Sequence, residues 1–338
     1  MTIRNPLVRA AAALATVLFA AGPAGAQEIK ELRVAKQFGI SYLPLIVIEQ
    51  KQLFEKHAKA AGLGDAKIGW IQLASGAPMN DALLSGNIEI AAGGQGPFIT
   101  LWARTKGSLN VKGLAALNSM PLYLNTINPA VKTLKDFGEK DRIALPAVKV
   151  SYQAVTLQMA AEQVFGAGKH NALDHMTVSM SHPDGHNAMM SGKSEITAHF
   201  TSAPFMYQQL EDPRVKRVLS SYEVIGGPAT FNVLWGTAKF RDANPKTYRA
   251  FLAALEEAMQ LINADKSGIA KLWIEAEKSK LSQAFVEKIL RDPENVYTTT
   301  PQNIMKYVQF MHKVGSIKEM PATWSDMFFP EIHAKPGS

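Results

Sequence analysis

The chain contains no cysteine, which excludes disulfides, thiolate-bound zinc and a thiol nucleophile and leaves stability to core burial. It also lacks any block of five or six like charges and any basic stripe interleaved with aromatics. Its formal charge of +7 is spread along the chain, so nucleic-acid binding gains no support. Catalytic signatures are equally scarce. No serine stands in a nucleophile elbow, no His-Glu-x-x-His pair occurs, and Asp184 is the lone carboxylate of the loops expected around a site. The run Gly93-Gly94-Gln95-Gly96 has no phosphate-loop lysine beside it, so a nucleotide site is not indicated.

Only one apolar run stands out, Ala10 to Ala21, preceded by Arg4 and Arg9 and followed by Ala24-Gly25-Ala26. That pattern is expected to be a cleavable signal peptide, too short for a membrane anchor. An apolar helix of the folded domain is the competing reading. Cleavage after Ala26 leaves a chain starting near Gln27 with no cysteine for a lipid anchor, and a charge lowered from +7 to +5 by the loss of two arginines. A soluble periplasmic protein without membrane insertion is expected. Of 338 residues, about 312 then remain, more than one core usually serves, so two lobes are anticipated.

Periodicity gives an ordered series. Glu31 to Phe38 reads as a strand, Leu43 to His57 as a helix entered through Pro44, Lys67 to Ala74 as a strand, and Ser75 to Leu84 as a helix ended at Gly86 before the strand "IEIAA". The order restarts with a strand at Arg142 to Val148, a helix at Ser151 to Phe165, a strand at His175 to Ser181, a short helix at Gly185 to Ser191 capped by Gly192, and the strand "EITAHF". Parallel sheets with covering helices follow. Two extended runs, from Gly113 to Asn128 and from Gly226 to Phe240, are expected to cross between the lobes. Helices near Asn244 to Met320 are expected to pack on the first lobe.

One turn is written twice. "ALLSGNIEIAAGGQGPF" from Ala82 is echoed by "AMMSGKSEITAHFTSAPF" from Ala188, sharing Ser85/Ser191, Gly86/Gly192, Glu89/Glu195 and, after one inserted residue, Pro97/Pro204 and Phe98/Phe205. Each lobe is therefore expected to end a helix at Ser-Gly, enter a central strand and meet a Pro-Phe helix start. Chance convergence of helix caps is the alternative.

Ligands of open α/β sheets sit beyond the carboxyl ends of the strands. The loops there hold Phe38, Tyr42, Ser75, Gly76, Gly94, Gln95 and Asn118 in the first lobe, and Ser151, Tyr152, His182, His199 and Thr201 in the second. Asn232 lies in the return crossing. The small residues leave backbone N–H groups uncovered at helix starts, each worth roughly half a positive charge, so an anion is held without a formal cation. The glycines alternatively serve only as turn formers, and the aromatics as core. His182 and His199 are expected at strand ends facing the cleft, bonding a ligand oxygen with a pH-sensitive affinity. The pair His182 and His186 has metal-ligand spacing, but Pro183 and Gly185 place it in a loop with the two rings on opposite sides of a helix start, so neither a metal nor a cofactor is expected.

The runs "FGISYLPLIVIEQKQLFEKHAKAAG" and "SGAPMNDALLSGNIEIAAGGQGPFI" resemble the periplasmic solute-binding proteins of nitrate, taurine and aliphatic sulfonate ABC importers, whose superfamily includes binders of thiamine-pyrimidine precursors. Gly39, Leu53 to Lys56, Ala82 to Gly86 and Ile88 to Gly94 match that pattern. Gln50-Lys51-Gln52 and the stretch His199 to Phe205 depart from it, and the departures bear on the ligand rather than the fold. The resemblance implies an α/β, two-lobed type II binding-protein fold, each lobe a mostly parallel sheet flanked by helices, with the ligand cleft between. It divides the chain into residues 27–122 (lobe one), 123–225 (lobe two) and 226–338 (return and C-terminal helices). It further implies a monomeric binder, not an enzyme, that closes on a small organic anion and presents it to permease and ATPase subunits. An aliphatic sulfonate or taurine-like solute comes first, then nitrate, then a pyrimidine or aromatic precursor; Lys149 is the sole loop cation, which counts against a small, highly charged anion. A periplasmic sensor subunit uses the same hinge. A pyrimidine-forming enzyme relative needs cysteines this chain lacks.

Overall fold

The computed structural model describes residues 28–338, so the expected signal peptide lies outside the described residues. Short runs of β-branched and small apolar residues form ten strands among them: β1 (Glu31–Lys36), β2 (Lys67–Gln72), β3 (Ile90–Gly94), β4 (Val111–Ala116), β5 (Tyr123–Thr126), β6 (Ile143–Leu145), β7 (Thr177–Ser179), β8 (Ala198–Thr201), β9 (Lys216–Ser220) and β10 (Asn232–Thr237). They make two five-stranded sheets ordered β2-β1-β3-β10-β4 and β7-β6-β8-β5-β9. In each sheet four strands run one way and the fifth, β10 or β5, runs against them. The reversed strands belong to the two crossing runs: the chain leaves the first sheet after β4, enters the second as β5 and returns as β10.

Helices cover both sheets: α1 (Leu43–Gln50), α2 (Leu53–Ala60), α3 (Gly76–Leu84), α4 (Gln95–Thr105), α5 (Tyr152–Phe165), α6 (His182–Ser191), α7 (Phe205–Leu210), α8 (Ser221–Ile225), α9 (Ala238–Ala243), α10 (Pro245–Ala264), α11 (Lys266–Ala276), α12 (Gln283–Arg291) and α13 (Ile304–Lys313). The helix expected as one piece from Leu43 to His57 is two. Leu43 to Ile48 is apolar all round and buried, whereas α2 buries only Leu53, Phe54 and Ala58. Gln52, left-handed at φ 50°, separates them, which lets α2 turn its single apolar stripe toward α10. α6 starts earlier than expected because Ser181 caps it and Pro183 occupies its first turn.

The repeated turn is two copies of one structure. Gly86 (φ 73°) follows α3 and Gly192 (φ 62°) follows α6, both left-handed, and each chain then enters the central parallel strand, β3 or β8. The shared acids have matching partners: Glu89 accepts from Arg33, and Glu195 lies 3.9 Å from Arg142. Because a Cβ at Gly86 would meet nothing within 4 Å, Gly86→Ala carries only the backbone penalty. It is expected to lower the unfolding free energy by about 1–2 kcal/mol in a urea titration; an unchanged midpoint would contradict the left-handed cap.

The C-terminal helices divide. α10 and α11 pack on α1 and α2 beside the first sheet, as expected, while α13 touches both α4 and α5. Lys313 pairs with Glu162 at 2.6 Å and Lys306 Nζ donates to the Ile225 carbonyl at 2.9 Å, so this helix straps the two halves.

Candidate functional site between the two sheets

The carboxyl ends of the parallel strands in both sheets face one small gap of about 10 Å³, room for one water at most. Four helices start at it. Gly76 opens α3, Gly94 precedes α4, Ser151 and Tyr152 open α5, and His182 opens α6. Ser151 and Ser181 cap their helices, but neither α3 nor α4 has a side-chain cap. Gln37, Pro97, Pro146, Gln153 and Phe231 complete the lining, without a lysine, arginine, aspartate or glutamate. The field at this point therefore comes from helix dipoles and amides, positive in sign and free of formal charge.

Glycine makes the approach possible. Gly94, at φ −60°, and Gly76 and Gly96 lie outside the left-handed region, so the turn-former explanation fails for them. Space explains them instead: a Cβ on Gly96 would stand 2.4 Å from the Val150 carbonyl oxygen, one on Gly94 2.9 Å from Tyr152 Cβ, and one on Gly76 2.5 Å from the Pro97 ring. The first two contacts run between the halves. Gly39 is both left-handed (φ 110°) and 2.9 Å, at its Cβ position, from the Ala203 carbonyl, to which Ile40 N donates across the same interface at 3.3 Å.

Of the residues expected to form the site, Gly76, Gly94, Ser151, Tyr152 and His182 line the gap, and Ser75 is the uncapped N-cap beside Gly76. Tyr42, Asn118 and Asn232 form a buried network close by. Asn118 Nδ2 donates to the Ser41 carbonyl at 2.6 Å, Asn232 N to Asn118 Oδ1 at 3.3 Å, and Tyr42 OH to Asn232 Oδ1 at 3.4 Å. Gln95 Nε2 donates to the Thr230 carbonyl at 2.8 Å. Around these bonds Ser41 Oγ, Gln95 Oε1, Asn232 Nδ2 and Ser202 Oγ are buried without partners, each a cost of about 1–3 kcal/mol until something satisfies it. Tyr152 is a wall: it stacks on Tyr307 with centroids 4.8 Å apart and meets Phe231 edge-on at 5.3 Å, and burial pushes its hydroxyl up to about 12.

His182 accepts from Gln153 Nε2 at its own Nε2 (3.3 Å), which leaves Nδ1–H to donate to Thr201 Oγ1 at 2.8 Å. Desolvation holds the ring down at about 4, so it is neutral at neutral pH. His199 is not a cleft residue. It is the second residue of β8, fully buried, and receives Gln209 Nε2 at Nδ1 (2.8 Å) beneath α6 and α7; it shares a face of the strand with Thr201 but lies behind His182, whose ring stands 5.7 Å away, and the missing side chain of Gly185 makes its room. His182 and His186 do not lie on opposite sides of a helix start either. Both are within α6, one turn apart, and both rings pack on Phe205, at 6.0 and 5.7 Å. Among the described residues no group of three or more His, Cys, Asp or Glu is placed to hold a metal. Phe38 points away into an outer groove. Gln37, Gln153 and Phe231 were missed; Gln37 just past β1 and Gln153 in the first turn of α5 share the position that marked their neighbours.

A sequence model of a family described as the NMT1-like family matches residues 25–275. No curated protein matches the sequence. Among solved structures the chain is similar to the alkanesulfonate-binding protein SsuA from Xanthomonas axonopodis pv. citri bound to MOPS, at 18% identity and a TM-score of 0.68 over 87% of this chain and 95% of that one. It is similar also to the periplasmic aliphatic sulphonate binding protein SsuA from Escherichia coli, at 16% identity and 0.64 over 89% and 92%. The periplasmic nitrate-binding protein NrtA from Synechocystis PCC 6803 matches at 16% identity and 0.67 over 89% and 84%. At such identities the likeness is one of fold, the two-sheet binding-protein architecture described above.

Proposed function

Given that the chain belongs to the NMT1-like family, we propose that it is the solute-binding component of an ABC importer. It captures a small organic anion in the periplasm, closes over it and delivers it to the permease. The observation that carries this reading is the convergence of four helix starts on one gap whose lining holds no charged side chain. Such a site favours a negative group through amides and dipoles alone. A sulfonate suits it best, because a diffuse single charge needs no counter-cation and two of the similar structures are sulfonate binders; nitrate is second. The gap is too small for either in the closed form, so binding requires the halves to part, and affinity comes from contacts that both make on closing.

A thermal-shift series on the purified protein with sulfonates, nitrate, carboxylates and pyrimidines tests this. A sulfonate at 100 times its Kd is expected to add about 2.7 kcal/mol to the folded state and raise the melting temperature visibly. Stabilisation by neutral pyrimidines alone overturns the anion reading. Adjacent genes for a permease and an ATPase are the expected context for import; a lone receptor gene in their place favours sensing.

A further inference from the structure

The outer groove that holds Phe38 is walled off from the gap. His182 lines the gap and Phe205 the groove, and the two rings are stacked with centroids 6.0 Å apart, so whatever occupies the groove is a separate molecule. The groove measures about 410 Å³, room for a small solute. Phe38 and Trp273 reach it from the first half of the molecule and Phe205 from the second, three rings from separate parts of the chain. Trp273 is 4% exposed and its Nε1–H has no partner, a buried donor that an acceptor in the groove would satisfy.

Glu277, directly after α11, supplies the charge. Among the described residues its carboxylate makes no ion pair and accepts no hydrogen bond, and Lys36, the one cation whose field reaches it, is already paired with Glu49 at 2.6 Å. Burial holds its carboxyl above the usual carboxylate range, Lys36 opposing that shift and Glu49 adding to it. A half-buried carboxylate without a counter-ion gains more from a cation than an exposed one does, because less water screens the pair. Lys280, the other charged residue of the lining, is exposed and keeps its ammonium in water. The ring faces favour the same sign as Glu277, since the quadrupole of an aromatic ring turns its negative side outward from the face. An inorganic cation would keep its hydration shell and leave the rings unused, whereas an alkylated ammonium brings carbon to the rings and charge to the carboxylate.

We propose that the groove is a binding site for a small alkylated ammonium ion that carries an oxygen acceptor. The rings of Phe38, Phe205 and Trp273 and the carboxylate of Glu277 hold the ammonium, and the oxygen accepts from Trp273 Nε1–H. This site goes beyond the anion reading of the gap and stands without it.

Isothermal titration of the purified protein with choline and with neohexyl alcohol, the same shape with carbon in place of the charged nitrogen, tests it. Choline is expected to bind tighter by about tenfold or more. Glu277→Gln is expected to remove most of that advantage and leave the neutral alcohol within about twofold of its wild-type affinity. Tetramethylammonium, which lacks the oxygen, should bind more weakly than choline, and Trp273→Phe, which keeps a ring but loses the donor, should bring the two together. Equal affinity of the wild type for choline and the alcohol, no binding of choline at millimolar concentration, or an undiminished preference for choline in Glu277→Gln overturns the site. Methanesulfonate, titrated in parallel, reads the gap, so failure of the anion reading and failure of the groove site are told apart.

Discussion

Gly96→Ala is expected to weaken solute binding by about 10- to 100-fold while leaving the thermal stability of the unliganded protein almost unchanged. The added methyl would stand 2.4 Å from the Val150 carbonyl oxygen and 3.2 Å from the Ser151 carbonyl carbon. These are backbone atoms next to the start of α5, not the end of a pliant side chain, so relief requires the two helix starts to separate. Overpacking of that kind costs about 1–3 kcal/mol, and here the cost falls on the closed form alone. With the halves apart, alanine in the first turn of α4 is at least as good as glycine. The closed population falls, and the apparent Kd rises in proportion. Gly76→Ala is the contrasting variant. Its methyl would meet the Pro97 ring at 2.5 Å within the first half, so the melting temperature should fall in the absence of any solute. Titration of both variants with the best sulfonate, beside scattering of the liganded form, separates the two effects. Wild-type affinity in Gly96→Ala would mean that α4 and the 150–151 loop do not meet on binding.

The contrast between these glycines marks what the sequence could and could not convey. Local chemistry was legible: Ser85-Gly86 and Ser191-Gly192 each announce a helix end followed by a strand, and two repeats of strand, helix and strand fix the sheet order apart from the reversed strands. Gly96 looks locally like a turn former, and only the contact with Val150, 54 residues away in the other half, reveals its role. His199 was misplaced for a related reason. It shares a face of β8 with Thr201, and only the packing of α6 over that face, with the His182 ring 5.7 Å away and the Gly185 backbone close above it, puts it behind the gap. The break at Gln52 has no glycine or proline to signal it; the demand comes from α10, against which α2 packs.

Acidification is expected to remove several kcal/mol of stability in the interval from about pH 6.5 to pH 4, through three histidines kept neutral by burial. His182 is depressed to about 4, His199 lies well below its ordinary value and His186 is lowered, desolvation being the largest cause for each. For His199 the neighbouring His182 and His186 add repulsion. The groups facing them are Gln153 and Thr201 at His182 and Gln209 at His199, none of them charged. The unfolded chain, with ordinary imidazoles near 6.5, takes up protons first as the pH falls. The histidine contribution is therefore complete above about 6.5 and is lost progressively toward 4; for His182 alone the loss by the end of the interval is about 3 kcal/mol. The lowered carboxylates act elsewhere: Asp212, held down to about 2 by Arg214, loses its partner only at still lower pH. Rising net positive charge also opposes folding in acid, and about 0.5 M salt screens it without reaching buried rings. Urea titrations in such salt at pH 7, 5.5 and 4.5 should show the free energy of unfolding falling with a slope above one proton, reduced by about one proton in His182→Gln, whose amide still reaches Thr201. Equal stability at pH 7 and 4.5 would show that these rings are not sealed from water, and with that the tight closure of the gap beside His182 would be lost as well.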